Sequence, residues 1–151
     1  MEPRNLAESL ADTFLFRGMS PEDVASLLRG AEDRALADGE WIFREGDAAR
    51  ELLFLLTGEA EIRKRGKGEG ERVLATLRAP TAFGEIAFLL HGIRNASARA
   101  KGEVTILSIG RDALQKTLEA SPKAATGFLL NLARVLAARL HQADDAIVRL
   151  G

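Results

Sequence analysis

Three regimes of hydrophobic patterning follow one another along the chain: helical, alternating, then helical again. Residues 5–12 place Leu6 and Leu10 at helical spacing, and the apolar run Phe14-Leu15-Phe16 follows as a knuckle. Ser20-Pro21-Glu22-Asp23 predicts a helix start. A serine side chain can cap free amides, proline suits the first helical position, and acids in the first turn favour the helix dipole. Val24, Leu27 and Leu28 would supply the buried face, and Gly30 can end the helix. From about residue 34 the period becomes two, with Trp41 and Phe43 alternating with Ile42 and Arg44 before a Glu45-Gly46-Asp47 turn. Leu52-Leu53-Phe54-Leu55-Leu56 is too short and too well bounded for a helix, and Gly58 follows it. Ala60, Ile62 and Lys64 then alternate with Glu59, Glu61, Arg63 and Arg65. Gly66-Lys67-Gly68-Glu69-Gly70 reads as a hairpin tip, returning through Val73, Ala75 and Leu77. Val104–Ile109 predicts a further strand after a turn at Gly102.

Short strands at spacings near ten residues point to a β-sandwich or barrel of the jelly-roll kind. After Gly110 the helical period returns, with one helix over Asp112–Ala120 and another opened by Ser121-Pro122. The fold expected is therefore mainly β with flanking helices. A β jelly-roll barrel is preceded by a short N-terminal helical bundle and followed by two C-terminal helices. The last helix carries Leu129, Ala133, Leu136, Leu140, Ala143, Ile147 and Leu150, spaced 4, 3, 4, 3, 4, 3. Such an a/d seam suits pairing with a second copy. A helix lying on its own barrel would also need a stripe of this kind, but Ile147 and Leu150 lie far past the last strand.

Composition narrows the chemistry. A chain of 151 residues fits one domain. With no cysteine there are no disulfides, thiolate nucleophiles or cysteine metal sites, and His91 and His141 leave little for a histidine site. No metal or cofactor is therefore expected. With 21 Lys and Arg against 22 Asp and Glu, the formal charge of −1 gives no general attraction for nucleic acid or acidic lipid. The start of the chain lacks the pattern of a signal peptide, and no apolar stretch reaches the roughly 18 residues that cross a bilayer. A cytoplasmic protein is expected, without membrane contact.

The stretch Phe83-Gly84-Glu85-Ile86-Ala87-Phe88-Leu89-Leu90-His91-Gly92-Ile93-Arg94-Asn95-Ala96-Ser97 joins two predicted strands, yet carries concentrated chemistry. Gly84 lets backbone approach a ligand closely or take positive φ. The amides opening the turn Ile86-Ala87-Phe88 lack partners, which suits an anion. Arg94 offers a planar fork for phosphate, and Glu85 can accept hydrogen bonds from a hydroxyl. One loop can thus grip a phosphorylated sugar at both ends. Spacing alone equally permits Glu85 and Arg94 to pair with each other on a barrel corner.

This stretch resembles the phosphate-binding cassette of the cyclic nucleotide-binding domain family: Phe-Gly-Glu-hydrophobe-Ala, a short turn, then Arg followed by small residues. The separation of Glu85 from Arg94, nine residues, agrees with that pattern. Gly39–Asp47 resembles the family's early hairpin, and Leu53–Ala60 its following strand and glycine turn. With the Phe14-Leu15-Phe16 knuckle and the Ser20-capped helix, the resemblance covers nearly the whole chain. It implies a single domain over 1–151: N-terminal helices over 1–32, a β-roll over 33–110 with its cassette at 83–97, and C-terminal helices over 111–151. It further implies that Glu85 receives the ribose 2′-hydroxyl and Arg94 pairs with the cyclic phosphate. Amides around Ala87 and Ala96 would complete the phosphate shell, and Gly84 would allow close approach. The implied ligand-binding set is Gly84, Glu85, Ile86, Ala87, Arg94, Asn95, Ala96 and Ser97. Leu136 and Leu140 are candidates for the family's apolar lid over the base, although the same residues lie in the dimer seam. Two positions depart from the pattern. Ile93 stands where proline is frequent before the arginine. Asn95 stands where Ala, Ser or Thr is usual, and its size bears on base choice.

Other features have plainer readings. His91 and His141 could form a pH-sensitive pair, but two solvated histidines are the simpler expectation. Arg63-Lys64-Arg65-Lys67 sits among Glu59, Glu61, Glu69 and Glu71, which fits a solvated hairpin better than a nucleic-acid patch. Trp41 and the phenylalanines suit a core. The resemblance implies a sensor or regulatory module for cAMP or cGMP that transmits occupancy through its C-terminal helices. It would act as a homodimer through helix 122–150, with an unknown protein effector as a further partner. The alternative is a ligand-free dimerisation protein that keeps the fold without the pocket. An enzyme such as a metal-dependent cupin needs clustered histidines, which this sequence lacks. The chain stops at Gly151 without a helix-turn-helix, so no direct DNA binding is expected of it. Both a stand-alone receiver and the sensor part of a longer protein fit.

Overall fold

The computed structural model describes residues 15–66, 68, 70–90 and 92–150, with side chains for all but Ile86, Arg139 and residues 142–150. The predicted helix at 5–12, Phe14, Lys67 and His91 lie outside the described residues. The elements in chain order are α1 (Pro21–Leu28), β1 (Ala31–Leu36), β2 (Trp41–Phe43), β3 (Glu51–Arg65), β4 (Glu71–Arg78) and β5 (Thr81–Phe83). They are followed by α2 (Glu85–Leu89), β6 (Ser97–Gly110), α3 (Arg111–Ala120) and α4 (Pro122–Leu150). Two compact units result: Gly30–Gln115 carries the sheet, and Met1–Arg29 with Lys116–Gly151 forms a helical unit.

The architecture is mainly β with flanking helices, as the patterning predicts. Six antiparallel strands form one sheet in the order β1-β6-β3-β4, with β2 on β6 and β5 on β3. Its ends are not paired with each other, so the sheet is open rather than a closed barrel. The two long strands β3 and β6 form its spine. Near one end they pair with β5 and β1, and near the other with β4 and β2. The register slips between Leu55 and Thr57 and again between Thr57 and Glu59. Such bulges bend a strand pair and increase its twist. Gly58 sits at this bend with φ +88, and a Cβ there would lie 2.4 Å from the Glu103 carbonyl oxygen. The Gly58 turn expected from sequence is thus a bend inside one continuous strand. Gly102 is likewise a positive-φ residue within β6 rather than a turn before a strand.

The core of the sheet unit gathers Leu36, Ile42, Leu53, Leu55, Phe83, Val104 and Ile106 from five strands. Leu52, Phe54, Leu107 and Ile109 point to the opposite face and are buried too. Burial on both faces explains why Leu52–Leu55 reads as a continuous apolar run rather than an alternating one. In the helical unit, Ser20 caps α1 by accepting a hydrogen bond from the Asp23 N–H at 3.1 Å. The rings of Phe16 and Phe128 lie 6.2 Å apart, among buried Val24, Leu27 and Leu132. Asn131 is buried and donates to the Leu15 and Arg17 carbonyls at 3.1 and 2.9 Å, tying the chain before α1 to α4. The buried stripe of α4 is therefore Ala124, Phe128, Asn131 and Leu132. Of the predicted seam, Leu129 and Leu140 are exposed, at 49% and 65%, and Leu136 is half-buried.

Candidate functional site

The loop between β5 and β6 is built around one arginine. Gly84 takes φ +72 and opens α2, whose Phe88 N–H donates back to the Gly84 carbonyl at 3.3 Å. Glu85, the first residue of α2, is buried at 2% exposure. After α2 the chain turns through Gly92, whose N–H donates to the Ala87 carbonyl at 3.0 Å. It then runs antiparallel to residues 46–49. The Ala49 N–H donates to the Gly92 carbonyl at 3.0 Å, and the Arg94 N–H to the Asp47 carbonyl at 2.7 Å. The Gly46 N–H in turn donates to the Arg94 carbonyl at 2.8 Å. Ser97, buried at the start of β6, accepts a hydrogen bond from the Glu45 N–H at 2.8 Å. The Glu45-Gly46-Asp47 turn thus fixes the exit of the cassette.

This framework seats the Arg94 side chain at 4% exposure. Nη1 donates to the Gly84 carbonyl and Nη2 to the Glu51 carbonyl, both at 2.7 Å. The guanidinium carbon lies 4.5 Å from the centre of the Phe43 ring, which stacks on Phe83 at 5.9 Å. The hydrogen bonds of Arg94 go to backbone carbonyls, and the alternative of a Glu85–Arg94 pair is not adopted. Burial pushes the guanidinium below its ordinary pKa, and the carboxylates of Glu51 and Asp47 partly push it back. A planar cation is therefore held out of water on neutral carbonyl oxygens. Phosphate oxygens would offer it a negatively charged acceptor in place of these neutral ones. Gly84 has a steric reason to be glycine, since a Cβ there would lie 2.5 Å from Arg94 Nη1.

Two cavities open beside Arg94. The larger, about 460 Å³, is bounded by the turn at Arg44–Gly46, by Lys64, Arg65 and Glu71 near the tip of the β3–β4 hairpin, and by the cassette exit. The smaller, about 170 Å³, lies beside Phe43, Asp47, Arg50 and Glu51. Gly84, Glu85, Ala87 and Ala96 line neither. Asn95 is exposed and faces the larger cavity, and Ala96 is buried. The structure thus sets Gly84 against Arg94 and buries Glu85, Arg94, Ala96 and Ser97, while Asn95 is exposed at the rim of the larger cavity. The lid candidates Leu136 and Leu140 lie on α4, in the helical unit.

Arg111 escaped the sequence reading. Its Nη2 donates to the Ala49 carbonyl at 3.1 Å and to the Phe88 carbonyl, and its guanidinium carbon sits 4.2 Å from the Phe88 ring centre. The first residue of α3 therefore holds the C-terminal end of α2. A cation opening a helix opposes the dipole, which is the one sequence signal that marked this residue. Phe43, the ring under Arg94, was read only as a core residue. Among the described residues no group of three or more His, Cys, Asp or Glu is placed to hold a metal ion. Among them, too, no helix is long and apolar enough to cross a membrane.

Comparison with known proteins identifies the family. The sequence model of the cyclic nucleotide-binding domain matches residues 33–121. The cyclic AMP receptor protein of Thermus thermophilus is 34% identical over 130 residues, which are 86% of this chain and 58% of the relative. A cAMP-activated global transcriptional regulator of Mycobacterium tuberculosis is 29% identical over 95% of this chain and 62% of its own. The chain thus spans about six tenths of the length of these curated relatives. The crystal structure of a cyclic nucleotide-binding domain from Methylobacillus flagellatus superposes with a TM-score of 0.85 at 26% identity, covering 98% of this chain and 85% of that one. This chain belongs to the cyclic nucleotide-binding domain family.

Proposed function

We propose that the chain is a regulatory sensor that binds a 3′,5′-cyclic nucleotide, cAMP or cGMP, in the cassette and passes occupancy on through its C-terminal helices. The observation that carries this reading is Arg94, a buried fork-shaped cation whose bonds end on carbonyl oxygens. The cyclic phosphate takes the place of those carbonyls, and amides around Ala87 and Ala96 complete its shell. Glu85 accepts the ribose 2′-hydroxyl, Gly84 permits close approach, and Ile86, Asn95 and Ser97 shape the rest of the site. The names of the two bacterial relatives favour cAMP as the first ligand to test.

Transmission begins when Arg94 leaves the Gly84 carbonyl, which also anchors α2 through the Phe88 N–H. Because Arg111 grips Phe88, a shift of α2 pulls on the first residue of α3. The exposed Leu129 and Leu140 support a homodimer seam along α4, since the helical unit uses a different stripe for its own packing. Leu136 and Leu140 are the residues through which a lid and that seam would compete. The role is regulatory rather than catalytic, and one sensor domain spans 1–151, with a protein effector or a further domain receiving the signal.

Thermal unfolding with cAMP, cGMP or 5′-AMP tests the proposal. Ligand at about 100 times its dissociation constant adds about 2.7 kcal/mol. At about 2–4 °C per kcal/mol for a chain of this size, the midpoint rises by about 5–10 °C. A rise with a cyclic nucleotide but not with 5′-AMP supports the sensor. No rise with either cyclic nucleotide at millimolar concentration overturns it and favours the ligand-free dimer.

A further inference from the structure

The cavity of about 460 Å³ at the cassette exit has a character of its own. It lies within the range of small-molecule sites. Its walls come from three separate segments: the turn after β2, the tip of the β3–β4 hairpin, and the residues around Arg94. Four cations line it (Arg44, Lys64, Arg65 and Arg94), against the two carboxylates Glu45 and Glu71. Both carboxylates are already engaged. Glu45 Oε1 accepts the Arg65 backbone N–H at 3.2 Å, and Glu71 faces Arg63 at 3.5 Å and Arg44 at 4.0 Å. Lys64 Nζ donates to the Asn95 carbonyl at 2.9 Å and so fixes the cassette exit at the cavity wall. Two groups facing the cavity have no hydrogen bond or ion pair among the described residues: the Arg65 guanidinium and the Asn95 carboxamide.

We propose that this cavity is a second anion site, separate from the Gly84–Ala87 stretch, that takes a phosphate group on Arg65, Lys64 and the Asn95 amide. An arginine fork with free donors, a lysine and a carboxamide amine supply complementary donors to phosphate oxygens. The proposal gives a role to the basic run in the hairpin, which the cassette alone leaves idle, and a further role to the asparagine that replaces a small residue. A phosphate reaches this site from one of two sources. It is either a separate polyanion or the second phosphate of a ligand whose first phosphate engages Arg94, as in a cyclic dinucleotide.

Calorimetric titration of the full chain with inorganic pyrophosphate, and separately with a cyclic dinucleotide, tests the site. Arg65 is exposed and its guanidinium has no partner among the described residues, so Arg65→Ala should leave the unfolding midpoint unchanged, and Asn95→Ala serves as a second variant. At least one of the two probes should bind, both variants should weaken it at least fivefold, and in Arg65→Ala, which lies outside the cassette, cAMP affinity should stay within twofold. Pyrophosphate binding that persists in protein saturated with cAMP identifies a separate polyanion. Dinucleotide binding that cAMP displaces, and that Arg94→Ala also weakens, identifies a two-phosphate ligand. Failure of both probes to bind at millimolar concentration, or binding unchanged in both variants, overturns the proposal. Because pyrophosphate is titrated without cyclic nucleotide, this result is independent of whether the cassette binds cAMP.

Discussion

Replacing Gly84 by alanine tests whether Arg94 is seated as described. A Cβ at this position would lie 2.5 Å from Arg94 Nη1, 3.3 Å from its Cζ and 3.5 Å from Phe43 Cε2. Contacts this short force the guanidinium from its seat, and the 2.7 Å bond from Nη1 to the Gly84 carbonyl goes with it. Overpacking typically costs about 1–3 kcal/mol, and a hydrogen bond from a charged group contributes about 1.5–3 kcal/mol. The left-handed φ of +72 adds about 1 kcal/mol for a residue with a Cβ. The loss of unfolded-state entropy from removing a glycine offsets about 0.4–1 kcal/mol. Displacing the guanidinium relieves the clash, so the lost bond replaces the overpacking cost rather than adding to it, and we expect Gly84→Ala to destabilise the protein by about 1.5–3.5 kcal/mol, lowering the midpoint by about 3–14 °C. Circular dichroism during thermal and urea unfolding measures this. Gly102→Ala is the matched control, because Gly102 has φ +75 with nothing within 4 Å of its Cβ position. It should lose less than about 1 kcal/mol, since only the backbone strain applies. In an Arg94→Ala background, Gly84→Ala should fall to the level of that control. If Gly84→Ala and Gly102→Ala agree within about 0.5 kcal/mol in the otherwise unchanged protein, the seating of Arg94 against Gly84 is wrong.

Three further substitutions probe the scaffold by the same unfolding measurements. Gly58→Ala should be the most damaging, by more than about 4 kcal/mol, because its Cβ would meet the Glu103 carbonyl oxygen at 2.4 Å and backbone cannot swing aside. Asn131→Ala should lower stability by about 1–3 kcal/mol, since it removes the donor from the buried Leu15 carbonyl and the part-buried bond to Arg17. Ser20→Ala should lose about 1 kcal/mol with α1, and Ser20→Asp should restore it by capping the same Asp23 amide.

Much of this arrangement was legible because the patterns had single physical explanations. Ser20-Pro21 could scarcely do anything but open a helix, and the Glu45-Gly46-Asp47 turn stands where it was expected. Ser97–Glu103 was missed as strand because its inward positions are Ala98 and Ala100, whose small side chains give a weak alternation. Gly58 and Gly102 read as turns, although positive φ serves equally well to bend a strand without ending it. The heptad stripe of α4 was visible, but the stripe that packs within the helical unit includes Asn131, a polar residue that periodicity does not count as core. At the cassette, residue type and spacing identified Arg94 and Glu85. No local pattern says that Arg94 rests on Phe43 and the Glu51 carbonyl, both about 40–50 residues earlier in the chain. Those partners come from tertiary folding.

The central claim is that Arg94 is the phosphate anchor of a cyclic nucleotide site. Calorimetric titration of cAMP into the protein and its Arg94→Ala and Arg94→Lys variants, below their unfolding midpoints, tests it most directly. Losing a desolvated charge pair costs about 2–5 kcal/mol, so Arg94→Ala should weaken binding by about 30-fold or more. Arg94→Lys should recover part of that loss, because it keeps the charge without the planar fork. An Arg94→Ala affinity within about threefold of the unaltered protein, a difference of well under 1 kcal/mol, would contradict the account.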